Sequence, residues 1–322
     1  ISLVLSGCTK SDDKPGSIEG IYIGGSEVSS SGISVAKYWK DNISVNLGDG
    51  IHHSGVDGLF VTDTDVYACG WEENSSGVTF AKYWKNGIAV NLTNGIFEAY
   101  ATSIFVSDGD VFISGYERNS NGTSVAKYWK NGVAVNLSNG TFYARAHKIV
   151  IAGTDVYVSG NEGTLNGPSK AKYWKNGISY NLSNGTYSGE GNSIAINGTD
   201  IYVSGNENIT AKYWKNGIST NLTSGNFLAS ATDIVVKNND VYIVVIEGGI
   251  NANTDMVKVW KNGTSTLFAS NESLSPTLGI AVKNNDVVVA GTSYLNVNGN
   301  STAKYWKNGV ETILTASNVN GY

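Results

Sequence analysis

Apolar and polar positions alternate along Ser103-Ile104-Phe105-Val106, and the run ends at Ser107-Asp108-Gly109-Asp110, a set of turn formers. Val111–Glu117 then reads as a second strand, Arg118–Thr123 as a polar loop and Ser124–Lys130 as a third strand. Asn131-Gly132 closes a hairpin into a fourth strand, Val133–Leu137. Asn-Gly is the strongest short hairpin signal, because a type I′ turn holds both central residues at positive φ.

This unit recurs along the chain. Ala81-Lys82-Tyr83-Trp84-Lys85-Asn86-Gly87 returns, slightly altered, at Ala36–Asn42, Ala126–Gly132, Ala171–Gly177, Ala211–Gly217, Val257–Gly263 and Ala303–Gly309. The seven central tryptophans, Trp39, Trp84, Trp129, Trp174, Trp214, Trp260 and Trp306, stand 40 to 46 residues apart. Such a period means stacked or ring-closed repeats. Four antiparallel strands per unit point to an all-β fold, a seven-bladed β-propeller. The turn also sets register: Lys85 faces Ile88, Trp84 faces Ala89, Tyr83 faces Val90 and Lys82 faces Asn91. Each tryptophan then faces a small residue (Ser44, Ala89, Ala134, Ser179, Ser219 or Ser265), except Trp306, which faces Glu311. A large indole beside a small cross-strand neighbour is good packing and supports the pairing.

Composition agrees with strands and turns. Gly is 39 of 322 residues, with Pro 3 and Met 1, so long helices lack their usual residues. The net charge of −5 is mild, and the two lysines of each repeat supply 14 of the 22 Lys and Arg. Cations spread round a ring do not form a phosphate-binding stripe, so no nucleic-acid partner is expected. No apolar run approaches the roughly 20 residues of a membrane-spanning helix.

The two cysteines differ. Cys69 lies in a strand, in a column with Gly24, Ser114, Ser159, Ser204, Val244 and Ala290, and reads as a small buried thiol. Leu5-Ser6-Gly7-Cys8, by contrast, resembles the lipobox at which bacterial lipoprotein precursors are cut, with apolar residues before it and polar ones after. The resemblance implies that residues 1–7 end a signal peptide, that Cys8 carries lipid and that 8–17 form a tether to a propeller over 18–322. The acidic pair Asp12-Asp13 resembles the surface-export tags of Bacteroidota lipoproteins, which implies display on the outer membrane surface.

The order of strands resembles kelch-type blades, with "VYVSG" at Val156–Gly160 similar to a kelch second strand, although the double glycine occurs only at Gly24-Gly25. The repeat as a whole is similar to arrays in surface lipoproteins of Bacteroidota, a likeness that implies fold and location and no particular activity. The first blade begins at its second strand, Ile21–Glu27, since Asp13–Gly20 does not read as an inner strand. Aligning Thr315 with Thr93 leaves Tyr322 one residue short of a further inner strand. The expectation is incomplete ring closure, with a three-stranded first blade whose inner strand lies past the C-terminus.

Residues that recur in every blade report folding. The turn aspartates Asp65, Asp110, Asp155, Asp200, Asp240 and Asp286 are read as turn caps, since single carboxylates so far apart make no calcium loop. Glu27, Glu72, Glu117, Glu162, Glu207 and Glu247 are read as cross-strand partners of the first lysine of the repeat, and that lysine shares a strand face with the tryptophan. Function is sought where repeats disagree. In the segment from outer strand back to axis, three columns change chemistry: His53, Glu98, Tyr143, Ser188; Gly55, Tyr100, Arg145, Glu190; and Asp57, Thr102, His147, Asn192. Their two-residue spacing predicts one shared side, ringing the mouth of a central channel. The candidate ligand-binding residues are His53, Asp57, Glu98, Tyr100, Tyr143, Arg145, His147 and Glu190.

Aromatics, an arginine and scattered carboxylates round a concave mouth suit a glycan or a peptide. The leading reading is therefore a lipid-anchored, monomeric binding propeller for a protein or glycan, with no metal and no cofactor; His52, His53 and His147 have no ligand spacing. Catalysis is not expected, because Glu98 and Glu190 make the one plausible carboxylate pair and lie two blades apart. The alternatives are a polysaccharide-acting enzyme at the same mouth, and a spacer or coat protein without a specific ligand.

Overall fold

The computed structural model describes residues 4–6, 20–248, 255–274, 278–295 and 300–314, and every regular element among them is a β-strand. Cys8, the tether and the segment from Thr315 lie outside the described residues. The third blade shows the plan: Ala99–Ser107 at the axis, then Asp110–Arg118, Ser124–Lys130 and Val133–Asn136 at the rim, each antiparallel to the last. Asn131 and Gly132 have φ of 50° and 83°, as the type I′ turn requires, and in the first blade Asp41 and Asn42 hold the same turn without glycine. The expected register holds residue for residue: Lys82 faces Asn91, Tyr83 Val90, Trp84 Ala89 and Lys85 Ile88.

Seven such blades form a ring. The first differs from expectation, because Val4–Ser6 pair antiparallel with Tyr22–Gly24 and supply its inner strand, making four strands rather than three. The apolar run that opens the chain has the pattern of a short strand, and it pairs along the edge beside Tyr22. At the other seam, Ile23 and Trp39 pack with Ala281, Val288, Ala290 and Ala303 of the seventh blade, which closes the ring through its core. The sixth and seventh blades are further joined by one long strand, Thr264–Leu274, whose end pairs with Ser293 and Tyr294.

The core is divided among the seams. Each tryptophan packs back on the preceding blade: Trp84 lies with Tyr22 and Ala36, and Trp129 with Tyr67 and Ala81. This explains the alanine that opens the repeat, since Ala36, Ala81, Ala126 and Ala171 are all fully buried where the next blade presses closest.

The invariant polar residues are ties between strands. Asn131 donates its side-chain N–H to Asp110 at 2.7 Å, accepts the backbone N–H of Val111 at 2.8 Å, and Lys130 reaches Asp110 at 2.7 Å. The turn aspartates thus bind one hairpin to the next rather than capping their own turn alone. Lys127 pairs with Glu117 and Lys212 with Glu207, each at 2.5 Å, as the cross-strand reading expects. Lys127 also lies 5.9 Å over the Trp129 ring.

Five inner strands carry a β-bulge at one position: Asp57, Thr102, His147, Asn192 and Thr232 are each skipped in the ladder to the second strand. Opposite it, Gly70, Gly115, Gly160 and Gly205 have no room for a Cβ, which would stand within 2.0 Å of a carbonyl oxygen; Val245 takes that place in the sixth blade. Bulges re-aim side chains, and here they turn one residue per blade toward the axis.

Candidate functional site

The inner strands enclose a central cavity of about 700 Å³. Its wall is apolar where Phe60, Phe105, Val150 and Val235 face it, and polar at the level of the bulges, where Asp57, Thr102, His147, Asn192 and Thr232 do. Asp233 is buried in this wall, accepting from Ser193 Oγ at 2.6 Å and from the N–H of Ile280 at 3.0 Å, with Lys148 3.5 Å away. With the N–H of Ile234 at 3.0 Å, these contacts hold a buried carboxylate in place and mark it as a tie between the fifth, sixth and seventh blades.

The bulge residues are themselves engaged. His147 Nδ1–H donates to the carbonyl of Gly191 at 3.2 Å, which leaves Nε2 of the neutral ring as an acceptor. Burial holds the imidazole below its usual range, against the opposing pull of Glu190. Burial alone lifts the Asp57 carboxyl to about 7.

Above the bulges the variable residues form a stack that crosses three blades. Trp71 meets Tyr100 edge-on at 6.1 Å between ring centres, Tyr100 stacks on Tyr116 at 5.2 Å, and the Arg145 guanidinium lies 4.9 Å from the Tyr116 ring centre. The Trp71 indole covers Gly55, where a Cβ would stand 2.9 Å from its Nε1. Desolvation lifts the Tyr116 hydroxyl to about 12 and raises that of Tyr100, so both remain O–H donors. Because the rings face one another, the stack offers edges, hydroxyls and the guanidinium rather than an open aromatic face. Arg145 is exposed, and among the described residues no carboxylate pairs with it.

The structure therefore divides the sequence candidates. Asp57, His147 and Glu190 line the cavity, and Tyr100 and Arg145 flank Tyr116 in the stack. Glu98 pairs with Arg118 at 3.1 Å, beside a shallow cleft between the second and third blades. His53 accepts the backbone N–H of Ser34 at 3.1 Å and fastens the first blade. Tyr143 begins an inner strand opposite Gly163. Up to the bulge simple alternation holds, since Tyr100 and Thr102, Arg145 and His147, and Glu190 and Asn192 alternate with the buried Ala99 and Ala101, Ala144 and Ala146, and Gly189 and Gly191; only the residues beyond it are shifted. Trp71 and Tyr116 were missed. Their signal is the residue between the recurrent Gly and Glu of the second strand, which changes from Trp71 to Tyr116, Asn161 and Asn206. Among the described residues no three His, Cys, Asp or Glu side chains lie close enough to hold a metal ion.

No protein-family model matches the chain, the kelch-like pattern included, and no curated protein matches it. Solved structures match its fold. A Mycobacterium tuberculosis puromycin-hydrolyzing peptidase gives a TM-score of 0.59 at 9% identity, over 97% of this chain and 53% of that one. A Pyrococcus horikoshii acylaminoacyl peptidase gives 0.57 at 10%, over 98% and 53%. A mutant Trypanosoma rangeli sialidase gives 0.50 at 8%, over 96% and 54%. The chain spans about half the length of each. These neighbours overturn the expectation that the chain is no enzyme, since enzymes carry this fold; at such identities the likeness concerns fold alone.

Proposed function

We propose that the chain is a ligand-binding propeller whose variable face takes a glycan at the Tyr100–Tyr116–Arg145 stack and the channel mouth beneath it. The observation that carries this is Arg145: stacking on Tyr116 orients its guanidinium, no described carboxylate neutralises it, and its fork of donors points to hydroxyl- or carboxylate-bearing sugars. The aromatic hydroxyls and Glu190 add further hydrogen-bonding groups at the same rim. Blade residues that maintain the fold repeat, whereas those in the stack do not.

The test is capture on an array of neutral and carboxylate-bearing glycans, with envelope proteins as a second arm, beside a Tyr100, Arg145 and Glu190 to Ser triple variant. Glycan binding that the variant loses supports the reading. Binding that the variant keeps places the site elsewhere, and capture of protein alone makes the partner a protein.

Leu5-Ser6-Gly7-Cys8 supports attachment to an outer membrane through lipid on Cys8, with the propeller displayed at the surface. On this reading cleavage also removes Val4–Ser6 and bares the edge of Tyr22–Gly24. Metabolic labelling with radioactive palmitate tests it: the wild-type precursor should become labelled and shortened, and a Cys8→Ala variant should be neither.

A further inference from the structure

Three bulge residues make the same contact across successive seams. Thr102 Oγ1 donates to the carbonyl of Ala146 at 2.8 Å, His147 Nδ1–H to that of Gly191 at 3.2 Å and Asn192 Nδ2 to that of Ala231 at 3.1 Å. In each case the acceptor immediately precedes the bulge of the next blade. Thr232 Oγ1 does likewise in the next seam, to Leu278 at 2.9 Å. Each of these side chains brings a proton to a carbonyl oxygen. The second blade has Asp57 at this position, and the corresponding acceptor, the carbonyl of Ala101, meets the weak thiol donor of Cys69 at 3.7 Å.

Asp57 lines the cavity and makes no hydrogen bond to any described residue. An ionised carboxylate only accepts, so toward a carbonyl it has nothing to donate; the neutral acid has one O–H. We propose that Asp57 is a protonation-controlled latch between the second and third blades. As the acid it donates to Ala101 and completes the run of interblade bonds. As the carboxylate it faces that oxygen without a proton and loosens the seam at the channel mouth. Trp71 and Tyr100 meet across this same seam, so the latch lies under the stack.

The surroundings fit a group that takes its proton from solvent. Cys69 on its own blade and Tyr100 and Tyr116 on the third are the titratable groups that sense it. Lys148, which also acts on Cys69, is drawn to Asp233. On the other flank the first blade presents Tyr22 and Tyr38 to the seam, while Glu27 and Lys37 pair with each other. His147 and Glu190 lie further round the cavity wall. No fixed charge replaces the water that Asp57 loses, which is why its carboxyl holds a proton to near neutrality.

The experiment is thermal unfolding of the whole chain from pH 5 to 8.5, for wild type, Asp57→Asn and Asp57→Leu. Asparagine can donate at every pH, as Asn192 does. The unfolded carboxyl ionises at about pH 4 and the folded one at about 7, so wild-type stability falls as pH rises across that window. The margin of Asp57→Asn over wild type should widen by about 2–4 °C between pH 5 and 8.5, with Asp57→Leu below Asp57→Asn throughout. Carboxyl NMR of the wild type should place the Asp57 midpoint near neutral pH, and this readout stands even where a variant fails to fold. Parallel wild-type and Asp57→Asn curves, equal stability of Asn and Leu, or a midpoint in the ordinary carboxylate range would overturn the latch.

Discussion

Lys304 of the seventh blade pairs with Glu311 on its own outer strand, 3.1 Å away, whereas its counterparts Lys82, Lys127 and Lys212 pair with a glutamate on the second strand. Ser293 stands where the seventh blade would have that glutamate, and Glu311 is the one residue that breaks the column of small partners facing the tryptophans. One departure therefore compensates the other.

Glu311 accepts from Lys304, whose side chain is only 7% exposed. Glu311→Ala should destabilise the chain by about 1–2 kcal/mol, between the cost of losing an exposed pair and that of breaking a buried one, because Glu311 itself meets solvent. Ser293→Glu in the same background should restore most of the loss. Urea unfolding of the three variants checks both.

Asn131 combines a left-handed backbone with two side-chain bonds. Asn131→Gly keeps the backbone and loses the bonds, and Asn131→Ala loses both. The alanine variant should be the less stable, by about 1 kcal/mol relative to glycine, with both below wild type in thermal unfolding.

Acid should weaken the rim. Hydrogen bonds first from the repeat lysine and then from the turn asparagine hold Asp110, Asp155, Asp200, Asp240 and Asp286 below the usual carboxylate range. Their folded values lie under their unfolded ones, so their contribution is present above about pH 4 and is lost as pH falls through the lowered values. The Tm should drop between pH 4 and 2.5, and replacing all five by Asn should flatten that drop. Asp57 acts in the opposite sense, at higher pH, because its folded value is raised.

Trp129 is 1% exposed and fills the seam between the second and third blades with Tyr67 and Ala81. Trp129→Ala should lower stability by about 3–5 kcal/mol, read by urea unfolding. On the ligand side, Tyr116→Leu keeps bulk but releases the Arg145 guanidinium. Affinity for the glycan found on the array should fall about two- to fivefold, the scale of an exposed cation–π contact, with the melting temperature little changed.

Much of the fold was legible because its determinants are local. An Asn-Gly turn fixes its own backbone and thereby the register of Lys82 with Asn91, and recurrence at a near-constant interval reveals how many blades there are. The Glu–Lys pairs follow from the same register. The site was only half legible. Asp57 and His147 were found because they vary, but their roles depend on a bulge, and a two-residue period cannot show where a strand skips a step. Tyr100 and Arg145 were found without Tyr116, which joins them from another strand.

The sequence by itself determined seven four-stranded units, their hairpins and the residues that tie each unit together, because those interactions span a few residues or one register. Only the tertiary structure decided what fills the first blade's inner position, which faces of Trp71, Tyr100 and Tyr116 remain free, and that a carboxyl at Asp57 falls where its neighbours bring a donor to the next blade. Those outcomes depend on how adjacent blades meet, and contacts between residues about 45 positions apart leave no trace in local pattern.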